Sequence, residues 1–249
     1  MKKFISFILL TAVIVFTSSA QTTPPSNKIW TSILKRYVNP EGLVNYKGII
    51  KDKAEFQKYL DMLSHTPPQE SWSKNDQEAY WINVYNAFTV KLIIDYYPVK
   101  SIKDIGPKPQ IVFINTPWQK KFFYIGKEHF KLDRIEHQIL RKEFSEPRIH
   151  FAIVCASMSC AKLRREAYEG DRLDEQLKNQ AIDFLTDRKK NKITSEKAEL
   201  SSYFTWFKSD FEKNGQTVIG FINQYSPVKM KKDANITFLD YNWSLNEQK

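Results

Sequence analysis

The segment NDQEAYWINVYNAFTVKLIIDYYP, residues 75–98, decides the fold. Apolar and aromatic side chains occupy every side of the helix that this spacing predicts, so we expect a buried central helix over about residues 76–97. Asn75 and Asp76 are residue types that cap a helix, and Pro98 ends it. The rest of the chain is then expected to pack around this helix.

The pattern of apolar residues predicts more helices than strands in the rest of the chain. Because the strands do not alternate regularly with helices, the sequence favours a mainly helical α+β single domain with a small, mostly antiparallel sheet. A hairpin turn is expected at Gly126-Lys127. The further predicted helices span residues 29–37, 54–63, 133–144, 173–185 and 202–212, and the predicted strands span residues 111–114, 122–125, 149–154 and 236–241.

The first twenty residues have the pattern of a signal peptide. Lys2 and Lys3 precede an apolar run over residues 4–16, and small residues follow up to Ala20. This run is shorter than the roughly 20 residues that span a bilayer. We therefore expect export to the periplasm or the medium with cleavage after Ala20, a tether over residues 21–27, a globular domain over residues 28–246, and no transmembrane segment in the mature chain.

Composition fits one globular domain and argues against a nucleic-acid partner. The chain has 249 residues, of which 42% are hydrophobic and 14% aromatic, far too many bulky groups for a disordered chain. Its net charge of +10 falls to +8 when residues 1–20 are removed. The basic runs at residues 188–190 and 229–232 are short, whereas a nucleic-acid-binding protein usually shows a longer basic stripe with interleaved aromatics.

Two asparagines interrupt the apolar pattern of the central helix. Asn83 and Asn86 lie three residues apart, so their side chains share one face. An unpaired buried amide costs about 1–3 kcal/mol, so both side chains need partners. They either tie a neighbouring segment to the helix or line a binding pocket.

Glu136 and His137 lie on the helix predicted at residues 133–144. Glu136 falls within the inward apolar stripe, and His137 lies at its border. Burial disfavours a charged carboxylate, so Glu136 needs a partner or has a raised pKa. Both residues are candidate general acids or bases, although a structural ion pair would give the same pattern.

His150 and Cys155 lie close together in the stretch HFAIVCASMSC, residues 150–160. An imidazole beside a thiol is typical of nucleophilic catalysis, in which the imidazole takes the thiol proton. On an unbroken strand, however, positions 150 and 155 point to opposite faces, so only a bend after Val154 brings them together. His137 remains an alternative base.

The two cysteines allow other interpretations. In an exported chain Cys155 and Cys160 are able to form a disulfide that pins this loop. A metal site is less favoured, because the close cysteine spacing of zinc sites is absent. We expect no metal or other cofactor.

These stretches resemble the DUF547 family of uncharacterised domains. The resemblance rests on residues 80–87, 132–141, 150–163, 204–211 and 241–246 taken in order. It departs at Arg134, Ala161 and Asn242, where the family usually has Asp, Pro and Asp. Because this chain has no heptad segment, it is similar to the stand-alone bacterial form, and the resemblance implies an exported or envelope protein. The polar signature residues that it places in this chain are Asn83, Asn86, Glu136, His137, His150, Cys155, Ser157, Ser159 and Cys160.

Two functions are compatible with these residues. The first is an exported thiol-dependent hydrolase or acyl transferase with Cys155 as nucleophile, His150 or His137 as base and Glu136 orienting the imidazole. In it, Asn83, Asn86, Ser157 and Ser159 contact the substrate, and backbone amides of residues 156–159 hold the oxyanion. The second is a non-catalytic domain with a Cys155–Cys160 disulfide, in which Trp81, Trp206 and Trp243 shape a groove. The ligand is an unknown peptide, acyl compound or glycan, and the sequence leaves the oligomeric state open.

Overall fold

Helix α4, Lys74–Asp95, forms the centre of the fold, as the sequence predicts. Nearly all of its residues from Glu78 onward are buried. Its N-cap is Ser73, which accepts a hydrogen bond from the backbone N–H of Asp76 at 3.1 Å, so the cap lies two residues before the predicted one. The computed structural model describes residues 23–108 and 115–249, and the predicted signal peptide and the strand predicted at residues 111–114 lie outside them.

About half of the described residues are helical, in ten α-helices and one π helix. Helix α5, Leu132–Arg134, continues directly into the π helix, Ile135–Phe144, which packs against α4. The other α-helices are α1 (Lys28–Tyr37), α2 (Tyr46–Lys51), α3 (Lys53–His65), α6 (Ile149–Ala152), α7 (Leu173–Thr186), α8 (Tyr203–Trp206), α9 (Lys208–Phe211) and α10 (Val218–Tyr225).

Five short strands form two small sheets in the described part of the chain. Strands β1 (Phe123–Ile125) and β2 (Glu128–Phe130) pair as the predicted antiparallel hairpin. Strand β4 (Lys197–Leu200) pairs antiparallel with β3 (Lys192–Ile193) and parallel with β5 (Asn235–Phe238). The fold is therefore the expected mainly helical α+β domain.

The prediction of a strand over residues 149–154 is wrong. The chain turns after Pro147, whose carbonyl accepts from the N–H of His150, and forms the short helix α6. The helix ends at Ile153, where the backbone becomes extended. A short apolar run does not by itself distinguish a buried strand from a buried helical turn, and here local hydrogen bonding decides for the helix.

Residues near both ends of the predicted globular domain are hydrogen-bonded to its helices and loops. Asn27, the last residue of the predicted tether, accepts from the hydroxyl of Tyr59 at 2.8 Å and donates to Glu169 at 3.0 Å. At the other end Gln248 donates to the carbonyl of Tyr37 at 3.0 Å. None of the helices in residues 23–108 and 115–249 combines the length and apolar character needed to cross a membrane.

Candidate active site

One cavity of about 520 Å³ brings together the residues that the sequence predicts as catalytic. Glu136 and His137 reach it from the π helix, His150 from α6, and Cys155 from the loop that follows α6. Because α6 is a helix, the alternation rule for strands does not separate His150 from Cys155, and both line the same space. Its size suits a small ligand or one end of a larger one.

Asn83 and Asn86 do not line this cavity; they clamp neighbouring backbone to α4. Asn83 donates to the carbonyl of Tyr168 at 2.8 Å and accepts from the N–H of the same residue at 2.9 Å. Asn86 donates to the carbonyl of Ala152 at 2.9 Å and accepts from the N–H of Val154 at 2.9 Å. Of the two roles that the sequence allows, tying a segment to the helix is the one that the geometry supports. Asn86 thereby fixes the chain between His150 and Cys155.

His150 is held by Asp210, a residue that the sequence analysis did not single out. The Nε2 atom of His150 lies 2.8 Å from Oδ2 of Asp210, and the imidazole stacks on Phe207 with ring centres 3.7 Å apart. Arg141 also donates to both oxygens of Asp210, at 2.6 and 3.1 Å. Burial alone would raise the pKa of Asp210, but these hydrogen bonds outweigh it and hold that pKa below its usual value.

This arrangement fixes the tautomer of His150. An ionised Asp210 carboxylate only accepts hydrogen bonds, so Nε2 of His150 carries the proton. Burial lowers the pKa of His150, against the opposing effect of Asp210, so the imidazole is neutral at pH 7. Its Nδ1 atom is then an unprotonated acceptor, and this buried atom has no hydrogen-bond partner among the described residues.

Cys155 is a protonated thiol at the cavity wall. Its Sγ lies 3.0 Å from the hydroxyl of Tyr241 and 3.1 Å from Oγ of Ser157, and these two oxygens lie 2.9 Å apart. Burial, together with the neighbouring thiol of Cys160, raises the pKa of Cys155 well above its ordinary value. The resting site is therefore not a thiolate–imidazolium pair, and Cys155 must lose its proton when it reacts.

Cys160 is a second free thiol, buried outside the cavity. Its Sγ accepts from the backbone N–H of Cys155 at 2.9 Å and from the hydroxyl of Tyr203 at 3.1 Å. Burial raises its pKa, but hydrogen bonds from Cys155 and Tyr203 outweigh this effect and lower it. The disulfide that the sequence left open is not formed in the structure, in which both cysteines are free.

The loop after Cys155 is strained and tightly held. Ala156 is buried and has φ +55°, in the left-handed region that residues with a side chain rarely adopt. The N–H groups of Met158 and Ser159 donate to the carbonyls of Ser244 and Asn242. Of the four amides predicted as oxyanion donors, those two are thus occupied, and those of Ala156 and Ser157 remain candidates.

Ser157 and Ser159 hold this loop and do not line the cavity. Ser157 contacts the Cys155 sulfur and Tyr241, as described above. Ser159 accepts from the N–H of Asn242 at 2.9 Å, so it fixes the segment that carries Tyr241. Both serines therefore position the groups around the thiol, and the geometry does not support a direct contact with substrate.

Glu136 and His137 differ in how they are held. Glu136 accepts one hydrogen bond, from the hydroxyl of Tyr85 at 3.1 Å. The Nδ1 atom of His137 accepts from Arg141 at 2.8 Å, and its Nε2 lies 3.8 Å from Asp133. Glu136 is therefore not the residue that orients His150. Because its Nδ1 is occupied by Arg141, His137 is also less suited than His150 to take a proton.

Aromatic rings form much of the remaining cavity wall. The rings of Trp206 and Trp243 stack with centres 5.8 Å apart, and Trp118 meets Trp243 edge-on at 5.9 Å. Lys103 lies over the Trp243 ring at 5.1 Å. Trp81, which the sequence places in a groove, is instead buried against Phe130 and does not line this cavity.

The cavity does not have the ligand set of a metal site. Across residues 23–108 and 115–249 there is no group of three or more His, Cys, Asp or Glu side chains placed to hold a metal ion. Three residues of the site were not predicted from the sequence: Asp210, Arg141 and Tyr241. Asp210 stands in the aromatic stretch FTWFKSDF, residues 204–211, where a polar residue between buried rings is a usable but weak signal.

Comparison with known proteins identifies the family. Residues 69–185 match the model of a family described as "Protein of unknown function, DUF547", and over this segment the chain belongs to that family. The match includes α4 and the residues from Glu136 to Cys160, whereas Asp210, Tyr241 and the tryptophans beyond residue 185 lie outside it. No curated protein and no solved structure matches the chain.

Proposed function

We propose that this chain is a thiol-dependent hydrolase or acyl transferase in which Cys155 is the nucleophile and His150 is the general base. One observation carries the proposal: His150, oriented by Asp210, has an unpartnered Nδ1 and lines the same cavity as the Cys155 thiol. A buried acceptor without a partner is costly, and such groups in proteins commonly mark a functional site.

The reaction proceeds by general-base catalysis rather than through a resting ion pair. Sγ of Cys155 attacks the acyl carbon of the substrate and forms a C–S bond, while the thiol proton passes to Nδ1 of His150. The bond to the leaving group breaks, and the imidazolium returns the proton to it. In hydrolysis, water attacks the thioester, its proton passes to Nδ1, and the C–S bond breaks with return of the proton to sulfur.

Asp210 and the loop after Cys155 support these steps. Asp210 keeps the proton of His150 on Nε2 and stabilises the imidazolium that forms during transfer. The amides of Ala156 and Ser157 are the candidate donors to the developing oxyanion. In the resting structure Sγ is hydrogen-bonded to Tyr241 and Ser157, so proton transfer requires Sγ to turn toward His150 or one water to connect them.

Acylation by p-nitrophenyl acetate tests the proposal. The purified chain is expected to release p-nitrophenol in a burst and to gain one acetyl group, which peptide mass spectrometry locates on Cys155. Cys155→Ala is expected to abolish the burst. Cys160→Ser is the matched control and is expected to retain it, since Ser keeps an acceptor for Tyr203 and the Cys155 amide. A burst that survives in Cys155→Ala, or acetyl on another residue, would overturn the proposal.

A non-catalytic binding domain is the second candidate, and the exposed aromatic wall favours it. Trp206 is 47% exposed although it lies beside Trp243 and Tyr241, an arrangement suited to a sugar ring or a peptide side chain. Tryptophan fluorescence during titration with chitotriose separates the two candidates. Saturable quenching together with an unreactive Cys155 would favour binding, and acylation of Cys155 would favour the enzyme.

Export to the periplasm or the medium is part of the proposal. It rests on the amino-terminal pattern of Lys2, Lys3, the apolar run and Ala20. Mass spectrometry of the chain recovered from cell fractions is expected to find Gln21 at the amino terminus outside the cytoplasm. Recovery of the uncleaved chain from the cytoplasm would contradict this part.

A further inference from the structure

Glu136 is the carboxylate of the cavity whose charge is not compensated. Its side chain is 9% exposed and lines the cavity, and Oε2 takes the hydrogen bond from Tyr85. Oε1 has no hydrogen-bond partner within residues 23–108 and 115–249, and no Lys, Arg or His of that part lies within 4.0 Å of the carboxylate. Oε1 is not among the buried polar atoms that lack a partner, so it is accessible to solvent and faces the cavity.

The other carboxylates near the site have cationic partners. Asp133 lies 3.3 Å from Lys131, and Asp210 receives Arg141 at 2.6 Å. These two carboxylates are therefore neutralised by the protein itself. Glu136 has only a neutral phenol as donor, although a buried charge without a partner is strongly unfavourable.

The missing partner is a cation that donates hydrogen bonds. A bound carboxylate or phosphate would bring a like charge to Glu136, and an alcohol would leave the charge uncompensated. A primary ammonium group supplies both the charge and up to three donors, and the aromatic rings of Tyr85 and Trp118 in the same wall favour a cation further.

We propose that the cavity binds a primary amine, as its ammonium form, against Glu136, and that this amine is the acyl acceptor. The inference rests on the proposed function. The ammonium group first loses one proton to solvent, and the free amine attacks the Cys155 thioester. An amide bond forms, the C–S bond breaks, and the second amine proton passes through His150 to sulfur. The products are the N-substituted amide and the free thiol.

Binding of three six-carbon probes tests the recognition step without the chemistry. In Cys155→Ala, calorimetric titration is expected to show binding of hexylamine and little binding of hexanol or hexanoate. Glu136→Gln keeps the size of the side chain and its acceptor for Tyr85, and it is expected to weaken hexylamine about tenfold or more. Glu143→Gln, an exposed residue of the same π helix, is the matched control and is expected to bind normally. Equal binding of hexanoate, or no effect of Glu136→Gln, would overturn the inference.

Product analysis tests whether the bound amine accepts the acyl group when Glu136, His150 and Cys155 are all in place. After acetylation by p-nitrophenyl acetate, the wild-type chain with hexylamine is expected to release N-hexylacetamide, and Glu136→Gln is expected to release mainly acetate. Normal acetylation without selective amine binding would overturn this inference alone. Selective amine binding without acetylation of Cys155 would overturn the proposed function and leave the recognition by Glu136 standing.

Discussion

Two buried polar regions of this molecule differ in whether the protein itself satisfies them. On α4, each amide group of Asn83 and Asn86 has a backbone partner. Around the cavity, the buried Nδ1 of His150 and the Oε1 of Glu136 have none among the described residues. Buried polar groups are almost always paired, so the first region builds the fold, and under the proposed function a substrate supplies the partners of the second.

Glu78 is a third buried polar group that the protein leaves without a full set of partners. It lies on α4, is 7% exposed, and its Oε1 has no partner in the described part of the chain. Unlike Glu136 it does not line the cavity. Because Glu78 does not line the cavity, we expect its titration to change the free energy of unfolding and not the reaction of Cys155.

The largest effect is expected for Asp210→Asn. Without a carboxylate at Nε2, His150 loses the partner that fixes its tautomer, so acylation of Cys155 by p-nitrophenyl acetate should slow about a thousandfold. Stopped-flow release of p-nitrophenol measures the rate. Asp183→Asn, at an exposed ion pair with Lys162, is the matched control and should react normally. A rate for Asp210→Asn near that of the control would contradict the role of Asp210.

Asn86→Ala is expected to destabilise the fold. It leaves the carbonyl of Ala152 and the N–H of Val154 unpaired in the core, at a cost of about 3 kcal/mol in the free energy of unfolding. Urea denaturation measures the loss. Asn179→Ala, at an exposed position of α7, should cost less than about 0.5 kcal/mol. A similar loss of unfolding free energy in both variants would contradict the structural role of the Asn86 amide.

Glu78→Gln is expected to stabilise the chain at alkaline pH. Burial, aided by Glu146 and opposed by Arg148, raises the pKa of Glu78 from 4.5 to about 8. Between these values the folded state keeps a proton that the unfolded state has lost, so stability falls as pH rises through the window. Removing this titration should gain several kcal/mol at pH 9, because each unit of the pKa shift is worth about 1.4 kcal/mol, and less than about 1 kcal/mol at pH 5. Urea denaturation that gives the same gain at both pH values would show that titration is not the cause.

Alkylation of Cys155 separates a thiol from a preformed thiolate. Because burial raises the pKa of Cys155, its rate of reaction with iodoacetamide should still rise about tenfold per pH unit between pH 7 and pH 9. Mass spectrometry follows the modification, and Cys155→Ala gives the background from Cys160. A rate that is already constant at pH 7 would indicate a thiolate–imidazolium pair and would contradict general-base catalysis.

The fold was predictable from sequence where its signals are local. Apolar periodicity predicts α1, α3, α4 and α7, and Gly126-Lys127 predicts the hairpin. Residues 149–154 were predicted wrongly because a short apolar run fits a strand and a helical turn equally well. Helices α2 and α10 and strands β3 and β4 were missed, since they are short and take their stability from tertiary packing.

The site was predictable only in part. Residues that carry their own chemistry, such as His150 and Cys155, were found from their type and line the cavity. Asp210 was missed because its role depends on a contact across 60 positions, and no local pattern encodes that contact. Whether Asn83 and Asn86 tie a segment to the helix or line a pocket could be decided only from their hydrogen-bond partners in the structure.

The protonation state of His150 is decisive for the proposed reaction, because the general base must have an unprotonated Nδ1 and line the same cavity as Cys155. Nitrogen-15 NMR of the histidine-labelled chain at pH 7 distinguishes the tautomers, and His150→Gln assigns the signal. We expect a neutral ring with the proton on Nε2 and none on Nδ1. A proton on Nδ1, or a doubly protonated imidazolium at pH 7, would contradict it.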